Sequence, residues 1–251
     1  MSVSLKLISL NIEKSKHLDR VLPFLVREMP DVFCAQELYE SAISRVVAAL
    51  SGVEYTYIPM TMRPKENPPE MQGIAIFSRV PVTKRDVLYY RGTPDVVPES
   101  AQEDPSTYNN SNRMVVVCDV AKGGTAFRIA TNHFAWTSGG QPDGMQRKEI
   151  CLLLDILDRL GEFVLAGDFN APRGGEIFGM LAAKYRDNVP VRYKTSLDAS
   201  LHRAGKTSPE QLATKMVDGI FSTSAYTVSD VELVSGVSDH CAIVANVSKP
   251  S

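Results

Sequence analysis

The sequence predicts an α/β fold in which two mixed β-sheets pack together and helices cover their outer faces. Strand-like segments, either alternating in polarity or apolar throughout, recur along the whole 251-residue chain. Segments with the i, i+3, i+4 apolar spacing of an amphipathic helix are fewer and lie between the strands. Strands and helices do not alternate one by one, as they do in a doubly wound parallel sheet. Two mixed sheets therefore fit the pattern better.

The first half of the chain contains five predicted strands and two predicted helices. Pro23, inside the first helix, predicts a kink or a later start of that helix. Asn11 and Glu13 follow the first strand, and Glu37 follows the second. The predicted strands cover residues 3–10, 31–36, 54–59, 73–78 and 82–90, and the helices cover residues 18–29 and 41–50.

The second half is centred on a short apolar strand that ends in Gly167-Asp168-Phe169-Asn170. Because side chains alternate along an extended chain, Asp168 and Asn170 are expected on the same side, at the edge of the core. Gly123-Gly124 is a hairpin signal between two strands. The predicted elements are a surface loop at 91–112, strands at 113–120, 125–133, 163–168, 216–222, 226–234 and 240–247, helices at 143–160 and 175–184, and an irregular region to about 214.

Composition predicts one ordinary globular domain over residues 1–251. Hydrophobic residues make up 44% and charged residues 22% of the chain, which is enough apolar material for a sizeable core. The net charge of −2 gives no general basic field for a nucleic acid. No apolar run is long enough to span a membrane, and no protein partner is indicated. The four cysteines have no zinc spacing and are expected to be buried free thiols in a cytoplasmic protein (Cys34, Cys118, Cys151 and Cys241).

Polar residues recur where the apolar strands stop. If the sheets bring these strand ends together, five carboxylates, two carboxamides and two imidazoles meet in one place. Carboxylates so close together raise one another's pKa, and a bound cation removes that cost. Oxygen ligands without thiolates select a hard ion, so Mg²⁺ or Mn²⁺ is expected. The residues are Asn11, Glu13, Glu37, His133, Asp168, Asn170, Asp218, Asp239 and His240.

Six short segments in this order resemble the endonuclease/exonuclease/phosphatase superfamily of metal-dependent phosphoesterases, which includes deoxyribonuclease I and exonuclease III-like enzymes. They extend from residue 10 to residue 240 and so cover nearly the whole chain. The resemblance implies a four-layer α/β sandwich. The segments are Leu10-Asn11-Ile12-Glu13, Ala35-Gln36-Glu37, Thr131-Asn132-His133, Gly167-Asp168-Phe169-Asn170, Met216-Val217-Asp218-Gly219-Ile220-Phe221 and Ser238-Asp239-His240.

The resemblance also implies a role for each residue. Glu37 is the principal metal ligand, with Asn11, Asp239 and Glu13 beside it. Asp168 activates the attacking water, and Asn170 holds that water or a phosphate oxygen. His240, hydrogen-bonded to Asp218, and His133 contact the scissile phosphate, while Arg113 grips a phosphate. Trp136, three residues after His133, is a further candidate that would stack on a base or sugar, although packing in the core or as an anchor of the loop is the favoured interpretation.

The substrate is less well defined, because the superfamily cuts many phosphoesters with nearly the same core. A phosphodiester in nucleic acid is the favoured substrate, and six Lys or Arg residues within 184–206 could follow its backbone. The alternatives are a small phosphate ester or phospholipid headgroup, and a binding module that has kept the fold without catalysis. His17 and His202 match no motif and are expected on the surface.

Overall fold

The computed structural model describes residues 3–101 and 103–249, in which twelve strands form two six-stranded sheets. The strands are β1 (Ser4–Asn11), β2 (Val32–Tyr39), β3 (Glu54–Arg63), β4 (Glu70–Ser78), β5 (Val82–Arg91), β6 (Arg113–Lys122), β7 (Thr125–His133), β8 (Val164–Asp168), β9 (Arg186–Asp187), β10 (Asp218–Ser222), β11 (Thr227–Val234) and β12 (Ala242–Ser248). The first sheet has the order β11-β12-β1-β2-β4-β3, and the second β5-β6-β7-β8-β10-β9. Every strand predicted from the sequence is present.

Each sheet contains one parallel pair near its centre, β1 with β2 and β7 with β8, and its other pairs are antiparallel. Parallel neighbours end at the same edge of a sheet. Asn11 is therefore paired with Gln36, one residue before Glu37, and His133 is paired with Asp168. The two parallel pairs thus bring the polar strand ends of both sheets to one edge of the molecule.

The first four of the five helices in the described residues lie on the outer faces of the sheets. The five helices are α1 (Leu18–Glu28), α2 (Ile43–Ala49), α3 (Gly144–Arg159), α4 (Glu176–Ala182) and α5 (Pro209–Leu212). Apolar side chains of α1 and α2 pack on the first sheet, and those of α3 and α4 pack on the second. The layers are therefore helix, sheet, sheet and helix, which confirms the predicted four-layer α/β sandwich.

The space between the sheets is filled by the inward-facing side chains of both sheets, such as Leu7 from β1 and Ile129 from β7. Full burial of one such side chain contributes about 1.5–3 kcal/mol. Gln36 is a polar member of this interior, and its Nε2 donates a hydrogen bond to Thr131 Oγ1 of the other sheet at 3.0 Å. This bond links the two sheets close to the edge where the polar strand ends meet.

Three sequence-based details differ from the structure. α1 begins at Leu18 and continues through Pro23, so that proline neither delays nor ends the helix. The irregular region before residue 214 contains the short β9 and α5. The prediction that all four cysteines are buried was wrong for Cys151, which is exposed on α3 because it lies outside the apolar stripe formed by Ile150, Leu153 and Leu157.

None of the helices within residues 3–101 and 103–249 combines the length and the apolar composition that crossing a membrane requires.

Candidate active site

A cleft with a cavity of about 450 Å³ opens at the edge where the polar strand ends meet. Residues from both sheets line it, so Glu37 and His240 face the same space despite their separation in sequence. Asn11 and Asp218 contact lining residues from behind. The predicted residues that line the cleft itself are Glu13, Glu37, Arg113, His133, Trp136, Asp168, Asn170, Asp239 and His240. The predicted convergence of the polar strand ends is therefore observed.

Asp168, at the end of β8, is the centre of the site and is 1% exposed. Its Oδ2 accepts a hydrogen bond from Asn11 Nδ2 at 3.0 Å. The same oxygen lies 3.6 Å from His133 Nε2 and 4.0 Å from His240 Nε2, which are longer distances than direct hydrogen bonds. Burial, and then the carboxylate of Asp218, raises the pKa of Asp168 above its ordinary value. Such a carboxylate has an increased affinity for a proton.

Asn170 lies beside Asp168 because the chain turns sharply after β8. Asn170 has φ +50°, a left-handed conformation that asparagine tolerates better than most residues. Its backbone N–H donates to Asp168 Oδ1 at 2.8 Å, and its Nδ2 donates to the carbonyl of Phe134 at 3.0 Å. The turn is supported by Gly167, where an added Cβ would lie 2.0 Å from the carbonyl oxygen of Asn132. The side-chain oxygen of Asn170 is thereby left to accept a hydrogen bond in the cleft.

Asp218 and His240 form the predicted hydrogen-bonded pair. His240 Nδ1 lies 2.8 Å from Asp218 Oδ2, which fixes the ring and leaves Nε2 towards Asp168. Burial acts to lower the pKa of His240, but the carboxylates of Asp218 and Asp239 outweigh it and hold the pKa well above its ordinary value. Burial lowers the pKa of His133, although the charges of Asp168 and Glu37 act to raise it. The pKa values of the two imidazoles are thus shifted in opposite directions, which favours the charged ring at His240 and the neutral ring at His133.

The donor atoms of Asp168, Asp218 and His240 all lie within 4.8 Å of one another, a spacing that a metal ion could also use. His240 Nδ1 is already within hydrogen-bond distance of Asp218, and its pKa favours the protonated ring, which cannot coordinate a metal.

The oxygen ligands expected for a metal lie on the other side of Asp168. β2 carries a β-bulge between Ala35 and Leu38, within which Glu37 has φ +55°. A bulge re-aims a side chain at the end of a strand, and here it turns Glu37 into the cleft. Glu37 Oε2 accepts a hydrogen bond from Gln72 Nε2 at 2.9 Å, and Asn11 Nδ2 lies 3.4 Å from its other oxygen.

These carboxylates repel one another. Burial raises the pKa of Asp239 to about 6, and the charges of Glu13 and Glu37 add to the rise. Burial also acts to raise the pKa of Glu37, but His133 and Lys14 outweigh it and the pKa lies below its ordinary value. The donor set is composed of oxygens and is short of positive charge, which suits a hard divalent cation. The residues present therefore fit the expected metal.

Glu13 is the weakest member of this set. Its carboxylate is 3.1 Å from Lys16 Nζ and 2.7 Å from His17 Nε2, so both of its oxygens already have partners. His17 was expected on the surface but is half-buried against this carboxylate. Glu13 lines the cleft, and its predicted role as a metal ligand stays a prediction.

A family model described as the endonuclease/exonuclease/phosphatase family matches residues 8–240. The chain belongs to this family. Its members are phosphoric ester hydrolases that generally depend on a divalent metal ion, and the ordered motifs in the sequence and the converging strand ends agree with that membership. A search of curated proteins found no match.

Solved structures of this fold include an endonuclease/exonuclease/phosphatase from Beutenbergia cavernae, with a TM-score of 0.73 and 17% identity over 99% of this chain and 72% of that one. The mannosyl-6-phosphatase of Bacteroides thetaiotaomicron gives 0.70 and 15% over 97% and 99% of the two chains. The human Nocturnin catalytic domain with bound sulfate gives 0.67 and 18% over 100% and 96%. At these identities the likeness shows the shared fold.

Arg113, for which the family resemblance implied a phosphate grip, makes other contacts. It is 3% exposed, and its Nη1 donates to the carbonyls of His133 at 2.8 Å and of Phe134 at 3.1 Å. Burial lowers its pKa to about 10. The carbonyl of Phe134 also accepts from Asn170. In this endonuclease/exonuclease/phosphatase member, Arg113 therefore supports the backbone at His133 and Phe134, and its role as a phosphate grip stays a prediction.

Trp136 lines the cleft and is 40% exposed. It packs edge-to-face against Tyr108 with ring centroids 6.0 Å apart, and its carbonyl accepts a hydrogen bond from Asn109 Nδ2. The indole is thus held by the long loop before β6 while part of its surface remains open to the cleft. Both interpretations from the sequence, loop packing and availability for stacking, agree with this geometry.

Several lining residues were not found from the sequence: Lys14, Arg63, Gln72, His202 and Lys215. Arg203, which also lines the cleft, was noted only as one of the six basic residues within 184–206. His202 was expected on the surface, but it is half-buried in the cleft wall. Gln72 could have been suggested by Gly73 beside it, since a glycine inside a strand marks close backbone approach. Arg63 is the last residue of β3, Lys14 lies in a short 3-10 helix, and His202 and Lys215 lie in irregular segments. None of these four carries a motif that would distinguish it from a solvent-exposed base.

Proposed function

We propose that this protein hydrolyses phosphoester bonds in one step, by in-line attack of a water molecule at a metal-assisted site. The observation that carries the proposal is the position of Asp168, whose Oδ2 lies between the imidazoles of His133 and His240 and accepts from Asn11. One cleft therefore contains a proton acceptor, two imidazoles that can bind an anionic phosphate, and an oxygen-rich metal site.

Glu37 and Asp239, with Asn11 and Glu13 beside them, would hold Mg²⁺ or Mn²⁺. The bound cation would neutralise the negative charge that develops on the phosphate oxygens.

Asp168 accepts the proton of the attacking water. Its raised pKa increases its basicity, and Asn11 fixes the orientation of the carboxylate. The side-chain oxygen of Asn170 holds the second hydrogen of that water, because the amide nitrogen is committed to the carbonyl of Phe134. Water is thus aligned for attack on phosphorus, and the ester P–O bond on the opposite side breaks, so that the alcohol leaves with a proton taken from solvent.

His240 donates its Nε2–H to a phosphate oxygen as a cation, while Asp218 holds the opposite ring nitrogen. His133 donates a neutral hydrogen bond from the other side of Asp168. Since these donors are fixed before substrate arrives, they stabilise the transition-state charge without further reorganisation.

A small phosphate ester is the substrate that the shape of the cleft supports best. Its cavity of about 450 Å³ lies within the range of pockets that enclose small ligands. One wall is closed by a hydrogen bond from Lys215 Nζ to the carbonyl of Gly139, which joins the segment after β7 to the segment before β10. The mannosyl-6-phosphatase with the same fold is named for a small phosphate ester.

A phosphodiester in nucleic acid is the second candidate. Trp136 offers a partly exposed aromatic surface at the cleft, on which a base could stack. Of the six basic residues within 184–206, all of which lie in the described part of the chain, Arg203 lines the cleft and the other five do not. Lys184, for example, pairs with Asp158 on α3. Support for a polymer substrate therefore comes from Trp136 and Arg203.

Phosphate release with and without Mg²⁺ tests the proposal. The panel contains sugar phosphates, nucleotides and inositol phosphates beside a plasmid-nicking assay, each repeated with a chelator. Metal-dependent hydrolysis of at least one class is expected. Nicking that exceeds turnover of every small ester would favour the nucleic-acid candidate. A folded protein that cleaves nothing with Mg²⁺ or Mn²⁺ would leave the binding-module alternative.

A further inference from the structure

Besides Arg113 and Lys215, which bond to backbone carbonyls, four basic side chains line the cleft without a place in the proposed hydrolysis: Lys14, Arg63, His202 and Arg203. We propose that this group, the rim cluster, binds a second phosphate group of the substrate, one that is not hydrolysed. The inference rests on the proposed function, because it assumes that another phosphate occupies the site at Asp168.

The members of the rim cluster are close enough to act on one another. Lys14, Arg63, His202 and Arg203 line the same cleft, and the positive charges of Arg63 and Arg203 reach Lys14, as does the opposing charge of Glu37. The positive charge of Arg203 also reaches the imidazole of His202. Since like charges at short range are costly, their collection on one side of a cleft is explained most simply by an anionic ligand.

The acidic groups near the rim cluster are engaged elsewhere. Glu13 is paired with Lys16 and His17, and Glu37 accepts from Gln72. Glu66, which also acts on Lys14, accepts a hydrogen bond from the hydroxyl of Tyr39 at 2.9 Å. These carboxylates therefore reduce the positive charge of the rim without blocking the hydrogen-bond donors of Arg203 and His202.

Arg203 and His202 have donors to spare. Arg203 is exposed and makes no ion pair or hydrogen bond with any other residue in 3–101 or 103–249. His202 Nδ1 accepts from the backbone N–H of Ala204 at 3.1 Å. In the neutral ring the proton is then on Nε2, so the second nitrogen is a donor. A guanidinium and an imidazole N–H side by side match the oxygens of a phosphate.

The loop that carries these two residues is held firmly. Asp198 Oδ1 accepts from the backbone of Ser200 at 2.8 Å, and its Oδ2 accepts from the backbone of Gly236 at 2.6 Å. The N–H of Asp198 donates to the carbonyl of Asp239 at 2.8 Å. At Gly205 an added Cβ would lie 1.7 Å from the carbonyl oxygen of Ala199, so only glycine permits this close turn. The loop is therefore fixed relative to the catalytic residues before a ligand binds.

Arg63 is held on the other side of Lys14. Its Nε donates to Gln72 Oε1 at 2.6 Å, and its Nη1 donates to Ser100 Oγ at 2.8 Å. Gln72 in turn donates to Glu37, so the rim cluster is linked to the metal-binding side of the cleft through one side chain. Two of the three guanidinium nitrogens are thereby fixed, which orients the third. A ligand in the rim cluster would lie at a set distance from the phosphate being cleaved.

A second phosphate next to the scissile one occurs in two kinds of substrate, a small bisphosphate and a nucleic acid with its neighbouring phosphodiester. The experiment compares a hexose monophosphate with the corresponding bisphosphate, and a dinucleotide with and without a terminal phosphate. The four enzymes are the full chain, Arg203→Met, Arg203→Lys and Lys206→Met. Lys206 is an exposed lysine of the same loop outside the cleft and serves as the matched control.

We expect the second phosphate to raise kcat/KM about tenfold or more in at least one pair, mainly through KM, because a charge-assisted hydrogen bond is worth this much binding. Arg203→Met removes the preference, so that kcat/KM for the compound with two phosphates falls to about the value for its partner with one. Arg203→Lys retains part of it, and Lys206→Met retains all of it. The pair that shows the preference identifies the source of the second phosphate.

Equal kcat/KM within both pairs, unaffected by Arg203→Met, would overturn the rim cluster as a phosphate site while leaving the phosphoesterase intact. If no ester is hydrolysed at all, the proposed function fails, and calorimetry decides the rim cluster separately. In that case the bisphosphate should bind the full chain more tightly than the monophosphate, and Arg203→Met should abolish the difference. Equal binding of both compounds would refute the site.

Discussion

Asp168 is the residue on which the proposed chemistry depends, because no other carboxylate in the described cleft lies between both imidazoles. Asp168→Asn keeps the shape and the hydrogen-bond capacity of the side chain but removes the proton acceptor. We expect kcat to fall on the order of 100-fold or more with little change in thermal stability. Steady-state phosphate release and a melting curve are the measurements.

Asp155→Asn is the matched control for that variant. Asp155 is exposed on α3, far from the cleft lining, so the same chemical change there should leave both kcat and the melting temperature unaltered. Normal turnover by Asp168→Asn would remove Asp168 as the activator of water.

A second prediction concerns Arg113. Binding of a phosphate and positioning of catalytic groups are two possible roles for this residue, and they affect KM and kcat differently. A phosphate grip contributes binding, so its loss would raise KM. The contacts with the carbonyls of His133 and Phe134 instead position catalytic groups, so Arg113→Met should lower kcat more than it raises KM. The measurement is a full saturation curve for the best substrate of the panel, with circular dichroism to check folding.

A rise in KM with kcat unchanged would instead support phosphate binding by Arg113, the role that the family resemblance implied. Arg128→Met is a suitable comparison, because Arg128 is an arginine on the neighbouring strand that pairs with Asp119 outside the cleft. Its loss should change neither kinetic constant.

At the level of elements, the loop after Ser196 depends on Asp198, which is 7% exposed and accepts backbone hydrogen bonds from Ser200 and Gly236. Asp198→Ala leaves these donors without their acceptor. We expect a loss of about 1.5–3 kcal/mol in the free energy of unfolding, because hydrogen bonds to a charged acceptor contribute about this much. Urea denaturation measures it.

Asp230→Ala is the corresponding control, since Asp230 is an exposed aspartate that accepts bonds from the side chains of Ser229 and Asn246. A change within about 0.5 kcal/mol is expected there, as for most surface substitutions. Equal losses in both variants would show that Asp198 does not hold the loop.

The strands and their polar ends could be predicted from the sequence because both follow from local pattern. Apolar alternation locates β1 and β8, and Asn11 and Asp168 are then strand-end residues. The β-bulge at Glu37 could not be predicted, because it arises from the pairing of β2 with β4, which lies far along the chain. The carbonyl partners of Arg113 depend on the same kind of distant pairing.

The site residues that sequence reasoning missed are those without a motif. His202 and Arg203 lie in an irregular loop, and their place in the cleft is decided by the bonds of Asp198 to Gly236 and Asp239. A single sequence carries no record of such bonds. The exposed Cys151 was missed for a related reason, since its position on α3 relative to the apolar stripe depends on the helix phase rather than on its apolar neighbours.

For the whole molecule, the cleft joins the ends of both sheets, so a cation bound there should stabilise the complete sandwich. Anything that binds the folded state alone adds RT ln(1 + [L]/Kd), about 2.7 kcal/mol at a hundredfold excess over Kd. For a chain of this size each kcal/mol raises the melting temperature by about 2–4 °C, so Mg²⁺ or Mn²⁺ should raise it by about 5–10 °C at that excess.

Glu37→Gln should abolish most of this rise, because it removes a carboxylate that links the end of β2 to the proposed ion. Glu66→Gln serves as the control, since Glu66 is exposed and bonded to Tyr39. Differential scanning fluorimetry over a series of metal concentrations, with and without chelator, measures the rise in melting temperature for each variant. An equal rise in Glu37→Gln and the unmodified protein would show that the ion binds elsewhere.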